Sequence, residues 1–172
     1  MSDNQNEERY IKLVSSIKEL IKYYRALLQV VRKEKEILVS ADLDLLNENN
    51  RTKEELLLKI RSKEAQRQSD AHDLALLEGL SPEGIRLQDF AIHFSGDKGE
   101  KLRNLHSVLK LLLERVKKIN AENEILVSSA LTNINGAMRA IKDSLVENKT
   151  YQKKGEVTDS KAQSGQLVSR QV

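Results

Sequence analysis

The residues with the clearest potential for phosphate chemistry lie in one glycine-rich segment, Gly96-Asp97-Lys98-Gly99-Glu100-Lys101. Glycines beside a lysine are typical of loops that hold phosphate with backbone N–H groups. This segment lacks the required spacing, a serine or threonine after the lysine, and a preceding strand pattern. It instead indicates a turn, followed by a helix that Asp97 and Glu100 begin as a capping box.

Metal binding or acid–base catalysis would require clustered histidines or paired carboxylates. His72, His93 and His106 lie on three different segments, and none has the i,i+4 spacing of a helical zinc pair. The acidic residues alternate with lysine and arginine, which is typical of solvated helix faces that carry ion pairs. The chain has no cysteine, so thiolate sites and disulfides are excluded. We therefore expect no enzyme activity, no cofactor and no metal site.

The composition predicts an all-α protein. The 172 residues are 39% hydrophobic, 32% charged and only 3% aromatic, which is typical of a helical bundle or coiled coil. Strands are not expected, because no run of β-branched or aromatic residues alternates with a period of two. A chain of this length is sufficient for one domain of ordinary size.

Charge and hydropathy exclude several partners and locations. Residues 148–172 contain five basic and two acidic residues, and they account for the whole net charge of +3. The balanced remainder argues against nucleic-acid binding, which requires a concentrated basic face. The polar N-terminus does not resemble a signal peptide, and no apolar run approaches the roughly 18 residues that span a bilayer. We therefore expect a cytoplasmic protein with no stable membrane insertion.

The apolar pattern predicts an antiparallel bundle of three long helices with one short connecting helix, followed by a disordered tail. The first helix covers about residues 7–39, and its wide apolar band indicates contact with more than one helix. Asp42 is expected to cap a second helix that reaches about residue 78, although one unbroken helix through residue 42 is the alternative. Ser81-Pro82 is expected to begin the short helix, whose Phe90 and Phe94 close one end of the bundle. The last helix begins near residue 98, so the predicted domains are residues 1–147 and a flexible basic tail of residues 148–172.

The last helix carries two apolar stripes with different register. The first stripe consists of Leu102, Leu105, Leu109, Leu112, Val116, Ile119, Asn123 and Leu126. The pattern then slips by one position, and the second stripe consists of Val127, Leu131, Ile134, Met138, Ile141 and Leu145. The slip indicates that the two halves of the helix face different neighbours. The second stripe could bind a helix of another protein, or it could pack in the core against helix 1 or helix 2.

Four features follow one another along the chain in an order typical of one known family. The first is Leu20…Tyr24…Leu27-Leu28…Glu34-Lys35-Glu36…Leu38. The second is Asp42-Leu43-Asp44…Leu46…Asn49…Lys53-Glu54…Leu56-Leu57. The third is the short middle helix marked by glycine and proline. The fourth is the end of the last helix, Asn148-Lys149-Thr150-Tyr151-Gln152-Lys153-Lys154-Gly155. With these features the chain resembles the FlgN family of flagellar export chaperones.

The resemblance implies a cytoplasmic chaperone that binds the terminal helical segments of flagellar hook-associated (hook–filament junction) proteins. It would prevent their premature association and deliver them to the flagellar type III export apparatus. The second stripe would be the partner-binding surface, and Tyr151 matches the family tyrosine linked to docking on the export gate component. Tyr151 could instead fold back on the bundle. The alternative function is a structural or self-associating coiled-coil protein with no export role.

Overall fold

The structure, a computed structural model, describes residues 2–150 and the side chains of residues 4–145. Four helices follow one another: α1 (Ser2–Ser40), α2 (Leu43–Leu77), α3 (Leu87–His93) and α4 (Gly96–Thr150). The predicted all-α class is confirmed, with three long helices and one short one in the described part of the chain. Internal contacts divide the chain into two compact units, residues 1–130 and residues 131–172. The predicted tail, apart from its first residues 148–150, lies outside the described residues.

The connection between α1 and α2 is a tight turn at Ala41 and Asp42. Ala41 has a positive φ of 56°, which reverses the chain direction, and Asp42 is extended with φ −84° and ψ 102°. The Asp42 carboxylate accepts a hydrogen bond of 3.0 Å from the Leu45 N–H, one of the backbone donors that a helix start leaves free. The predicted break and cap are therefore confirmed, and the alternative of one continuous helix is wrong.

The centre of the first unit is the wide apolar face of α1. Leu13, Ile17, Leu20 and Val31 are fully buried, and further apolar side chains of α1 surround them. This face is broader than the seam of a two-stranded coiled coil, so it is covered by more than one helix, as its spacing predicts. Each of these side chains contributes roughly 1.5–3 kcal/mol through removal from water.

Polar contacts along the helices define the direction of α2. Arg9 near the start of α1 donates a hydrogen bond of 2.8 Å to Asp73 near the end of α2. At the other end of α1, Glu34 accepts a hydrogen bond of 2.8 Å from Lys53 in the first half of α2. Because the contacts pair the start of one helix with the end of the other, α1 and α2 run antiparallel.

The part of α4 that lies in the first unit runs in the same direction as α1. The Tyr10 hydroxyl donates a hydrogen bond of 3.0 Å to the Lys98 carbonyl, and Lys35 pairs with Glu122 at 2.6 Å. Apolar residues of the first stripe cover the core between these two points. They are the buried Leu102 and Leu112 and the half-buried Leu105, Leu109, Val116 and Ile119. The first stripe is therefore a core-facing stripe.

The segment between α2 and α3 differs from the prediction. Ser81-Pro82 does not begin the short helix; α3 begins at Leu87 and is preceded by Arg86, whose N–H donates a 2.7 Å hydrogen bond to the Asp89 carboxylate. The physical reason is Gly84, whose φ of +72° places a turn where the helix was expected. The predicted capping box at Asp97 is also wrong, because α4 already begins at Gly96 and places Asp97 inside its first turn.

An aromatic cluster covers the end of the first unit where α1 and α4 begin. Phe90 of α3 is fully buried and stacks on Phe94 with ring centroids 6.3 Å apart. The edge-to-face contact between Phe94 and Tyr10 has a centroid distance of 5.4 Å. Such pairs add roughly 0.5–1.5 kcal/mol beyond the burial of their area. Phe90 of the short helix and Phe94 directly after it thus close one end of the core, as predicted.

Gly99 gives a test of how closely α4 approaches the segment before it. A Cβ atom at Gly99 would lie 1.9 Å from the Phe94 carbonyl oxygen, a backbone atom that cannot move aside like a flexible side chain. We expect Gly99→Ala to lower the free energy of unfolding by roughly 1–3 kcal/mol, the usual cost of overpacking. Chemical denaturation followed by circular dichroism measures this change.

Gly136→Ala is the matched control for this experiment. Gly136 lies in the interior of α4, and a Cβ atom there would meet nothing within 4 Å. The same substitution should therefore stabilise the helix by roughly 1 kcal/mol through helix propensity alone. Stabilisation by both variants would contradict the close approach at Gly99.

Candidate partner-binding surface

The second stripe of α4 is exposed along its whole length. The exposed fraction is smallest at Val127, with 40%, and largest at Met138, with 65%. The other members lie between these values: Leu131, Ile134, Ile141 and Leu145. The slip in the pattern coincides with the point where α4 changes from buried to exposed apolar side chains.

The spacing of the second stripe suits it to bind another apolar surface. Its six residues alternate at spacings of four and three, so they lie on one face of the helix. Contiguous exposed apolar side chains of this kind mark interaction surfaces in water-soluble proteins. Anchors at these spacings fit an amphipathic helix laid alongside, and the unbranched Met138 can adapt to an imperfect partner surface.

A polar network lies where the first stripe ends. Asn123 is only 3% exposed, and its amide nitrogen donates hydrogen bonds to the Val31 carbonyl at 2.9 Å and to a Glu34 carboxylate oxygen at 3.0 Å. Lys53 donates to both Glu34 oxygens, at 2.8 and 3.1 Å, and to the Asn120 side-chain oxygen at 3.0 Å. The network therefore joins α1, α2 and α4 at one level of the first unit.

The sequence interpretation missed this network, although one signal for it was present. Asn123 occupies a position of the first stripe where every other member is apolar. A single asparagine at such a position is known to fix helix register in coiled coils. Its partners, Glu34 and Lys53, looked like ordinary members of charged helix faces. Only the packing of three helices brings these side chains together.

An open cleft of about 430 Å³ adjoins the network. It is lined by Glu34, Lys53, Asn120, Asn123, Glu124, Val127 and Ser128. Val127 is also the first residue of the second stripe. The polar cleft and the start of the exposed apolar stripe therefore share a residue within the first unit.

A second cleft of about 460 Å³, between α1 and α4, is lined mostly by charged side chains. Lys35 and Glu122 form an ion pair across it at 2.6 Å. The hydrogen bond from the Lys35 ammonium group lowers the pKa of Glu122 below its usual value. Both side chains are well exposed to solvent, so this pair contributes little to stability.

Lys98 and His93 take part in structural contacts. Lys98 of the glycine-rich segment pairs with Glu7 and lies 5.2 Å from the centre of the Tyr10 ring. His93 contacts Glu78 at 3.1 Å. Over the described residues, no group of three or more His, Cys, Asp or Glu is arranged to hold a metal ion. None of the helices in that part of the chain is sufficiently long and apolar to cross a membrane.

A helical chain with a long exposed apolar helix face is typical of proteins that bind other proteins. Comparison with known families gives the identification. A family model described as FlgN protein matches residues 9–159, which is most of the 172-residue chain. The chain belongs to the FlgN family, a family of flagellar export chaperones, and the matched range includes Tyr151, which lies outside the described residues. No curated protein and no solved structure matches the chain.

The polar network predicts that substitutions at two lysines change the free energy of unfolding by different amounts. Lys53→Met should lower the free energy of unfolding by about 2 kcal/mol, because it removes the main cation from the buried Glu34 carboxylate. Lys35→Met removes the exposed partner of Glu122 and should change stability by less than about 1 kcal/mol. Urea denaturation of the two variants measures both values, and equal effects would contradict a structural role for the network.

Proposed function

We propose that this chain is a cytoplasmic export chaperone for flagellar hook–filament junction proteins. It binds their terminal helical segments, prevents those segments from associating early, and delivers the proteins to the flagellar type III export apparatus. One observation carries the proposal: six apolar side chains of one helix face remain exposed in a chain of the FlgN family. The stripe of Val127, Leu131, Ile134, Met138, Ile141 and Leu145 is the proposed partner-binding surface.

The chemistry of the stripe supports a helical partner segment. A partner helix with its own apolar stripe would cover side chains that now lie in water, and each buried anchor contributes up to roughly 1.5–3 kcal/mol. The same apolar stripe on the partner is what would otherwise associate with a second junction protein. Covering it keeps the partner in a form suitable for export.

The composition of the second half of α4 supports release as well as binding. Asn133, Asn135 and Gly136 are weak helix formers inside this segment, and Gly alone costs about 1 kcal/mol relative to Ala. If binding orders this segment further, part of the interaction energy is offset by that ordering. A chaperone that hands its cargo to another machine benefits from this limit on net affinity.

Tyr151 is the proposed contact to the export gate component. It follows the last described helical residue, Thr150, and it lies inside the range matched by the family model. Its aromatic ring and polar hydroxyl suit the centre of a small, transient interface, where tyrosine is enriched among the residues that dominate binding energy.

The partner-binding surface is tested by the double substitution Ile134→Glu with Ile141→Glu. Their exposed fractions are 56% and 59%, so the carboxylates meet water in the free chain and should leave the fold intact. In the complex the same charges would be buried against apolar atoms. We expect at least about a 100-fold loss of affinity for a purified hook–filament junction protein, measured by isothermal titration calorimetry.

Asn133→Glu with Ala140→Glu is the matched control for this variant. It adds the same two charges at the same seven-residue separation, one position before each isoleucine and off the stripe. This control should retain the affinity of the unchanged chain. Undiminished binding by the stripe variant would exclude the stripe as the binding surface. A stable dimer in light scattering that the stripe variant dissociates, with no junction protein bound, would favour the self-associating coiled coil.

The export-gate contact is tested by Tyr151→Ala. We expect at least about a tenfold weaker affinity for the cytoplasmic domain of the gate component, because an aromatic anchor is lost, and unchanged affinity for the junction protein. Gln152→Ala, the neighbouring polar truncation, is the control for tail composition. Surface plasmon resonance measures the affinity of each variant for the gate component and for the junction protein. Equal gate affinity for the two variants would remove Tyr151 from the proposed site.

A further inference from the structure

An open cleft of about 360 Å³ lies between α3 and the first half of α4, and all the residues that line it belong to the first unit. Its α4 wall consists of side chains with hydrogen-bond donors at spacings of three and four, so they share one face of the helix: Arg103, His106, Ser107 and Lys110. No carboxylate of a described residue lines this cleft, which we call the basic cleft.

The cations of the basic cleft have no carboxylate partner, unlike those of the two clefts described above. In each of those clefts a lysine pairs with a glutamate of another helix, at 2.6 Å in one and 2.8 Å in the other. Within residues 4–145, whose side chains are described, neither Arg103 nor Lys110 forms an ion pair. Glu100 and Glu114 lie about one turn beyond the two ends of the basic face, and neither lines the cleft. The basic cleft therefore presents positive charge to an acidic ligand.

Arg103 is held in place by the backbone of α3. Its Nη1 donates a hydrogen bond of 2.7 Å to the carbonyl of Ala91, which lies in the last turn of that helix. Carbonyls in a last turn have no partner within their own helix, so this bond satisfies one of them. The guanidinium has five N–H donors in one rigid plane, and the others remain available for a carboxylate. A ligand thus meets a donor group whose position is already fixed, which lowers the entropy cost of binding.

Ile92 gives the basic cleft an apolar edge on the α3 side. Its side chain is 73% exposed, although the two preceding residues of α3 are buried. A ligand that carries an apolar side chain next to a carboxylate would cover the isoleucine and neutralise the cations together. Nucleic acid requires a longer basic surface, and a membrane-bound helix requires a much larger apolar face. The chemistry of the cleft therefore favours a protein segment.

We propose that the basic cleft binds an acidic segment of another protein, in which a glutamate or aspartate lies beside an aliphatic residue. Arg103 donates hydrogen bonds to the carboxylate, Lys110 adds attraction between opposite charges, and Ile92 packs against the aliphatic side chain. The inference goes beyond the proposed function, since it assigns a second docking surface that shares no residue with the second stripe.

A short acidic peptide tests the chemistry of the ligand. The probe is acetyl-Gly-Glu-Glu-Leu-Leu-Gly-amide, titrated into the full chain labelled with ¹⁵N and followed by nuclear magnetic resonance. We expect shift changes concentrated in residues 88–92 and 103–110, which contain the basic cleft. The control peptide has glutamine in place of both glutamates, and it should bind at least about tenfold more weakly because the opposite charges are lost.

Lys110→Glu tests the charge of the basic cleft. Lys110 is exposed and has no described partner, so the reversal should leave the melting temperature unchanged and weaken binding of the acidic peptide at least about tenfold. Lys101→Glu is the matched control. It makes the same change at an exposed residue nine positions earlier, about two and a half turns away and thus on the opposite face of α4. This control should bind within about twofold of the unchanged chain.

Ile92→Ser tests the apolar edge. The variant removes an exposed side chain and should weaken binding about fivefold, because the aliphatic residue of the peptide loses its apolar contact. Val39→Ser is the matched control, since Val39 is equally exposed at 73% and does not line the cleft. Equal affinities of the two serine variants would show that the ligand needs no aliphatic residue, contrary to the proposal.

Four results would overturn the basic cleft as a site for an acidic protein segment. The first is the absence of shift changes in residues 88–92 and 103–110, and the second is equal binding of the glutamine peptide. The third is the same set of shift changes with inorganic phosphate alone, which would indicate a site for small anions. The fourth is a dimer in analytical ultracentrifugation that Lys110→Glu dissociates, because a second copy would then occupy the cleft.

The peptide experiment is separable from the test of the proposed function. The double variant Ile134→Glu with Ile141→Glu leaves every residue of the basic cleft unchanged, so it should bind the acidic peptide as tightly as the unchanged chain does. Loss of junction-protein binding with retained peptide binding would remove the proposed function alone. Loss of peptide binding with retained junction-protein binding would remove this inference alone.

Discussion

Burial of the broad apolar face of α1 is the constraint on which the rest of the structure depends. Leu13, Ile17 and Leu20 lie at its centre with no exposed surface. A face this wide cannot be covered by one helix, because a single contact buries only a narrow seam. The turn at Asp42 returns α2 along it, and the glycine-containing segment before α4 brings a third helix to the same face. The aromatic contact of Phe94 with Tyr10 then covers the end of the core.

The exposed stripe is a consequence of where this core ends. The first stripe of α4 follows α1 until Asn123 reaches Glu34, and burial stops within the next few residues. An apolar side chain in place of Asn123 would continue the core pattern. The asparagine instead fixes the position of α4 along α1, because it donates hydrogen bonds to Val31 and Glu34 of α1. Beyond it the apolar pattern shifts to a new register and its side chains lie in water. An exposed apolar surface can thus be built from the same residue types as a core, provided that the register changes.

The prediction of a helix start from sequence is right where residues a few positions apart determine it, and wrong where distant residues do. Asp42 was identified as a cap because the cap and its N–H partner lie three residues apart. Ser81-Pro82 also matches the pattern of a helix start, but no helix begins there. Gly84 adopts a left-handed backbone conformation, and Phe90 packs in the core, so the helix begins at Leu87. Short-range sequence patterns thus predict several positions at which a helix could begin, and the packing of the following aromatic residue decides which of them is used.

The sequence by itself determined the all-α class, the long helices, the turn at Asp42 and the second stripe as a surface distinct from the first. These features follow from helix propensity and from apolar spacing, which are local properties of the chain. The tertiary structure alone decided that the second stripe is exposed, since spacing is identical for a core face and a binding face. It also decided that Glu34, Lys53 and Asn123 meet, because residues 19 and 89 positions apart are joined only by helix packing.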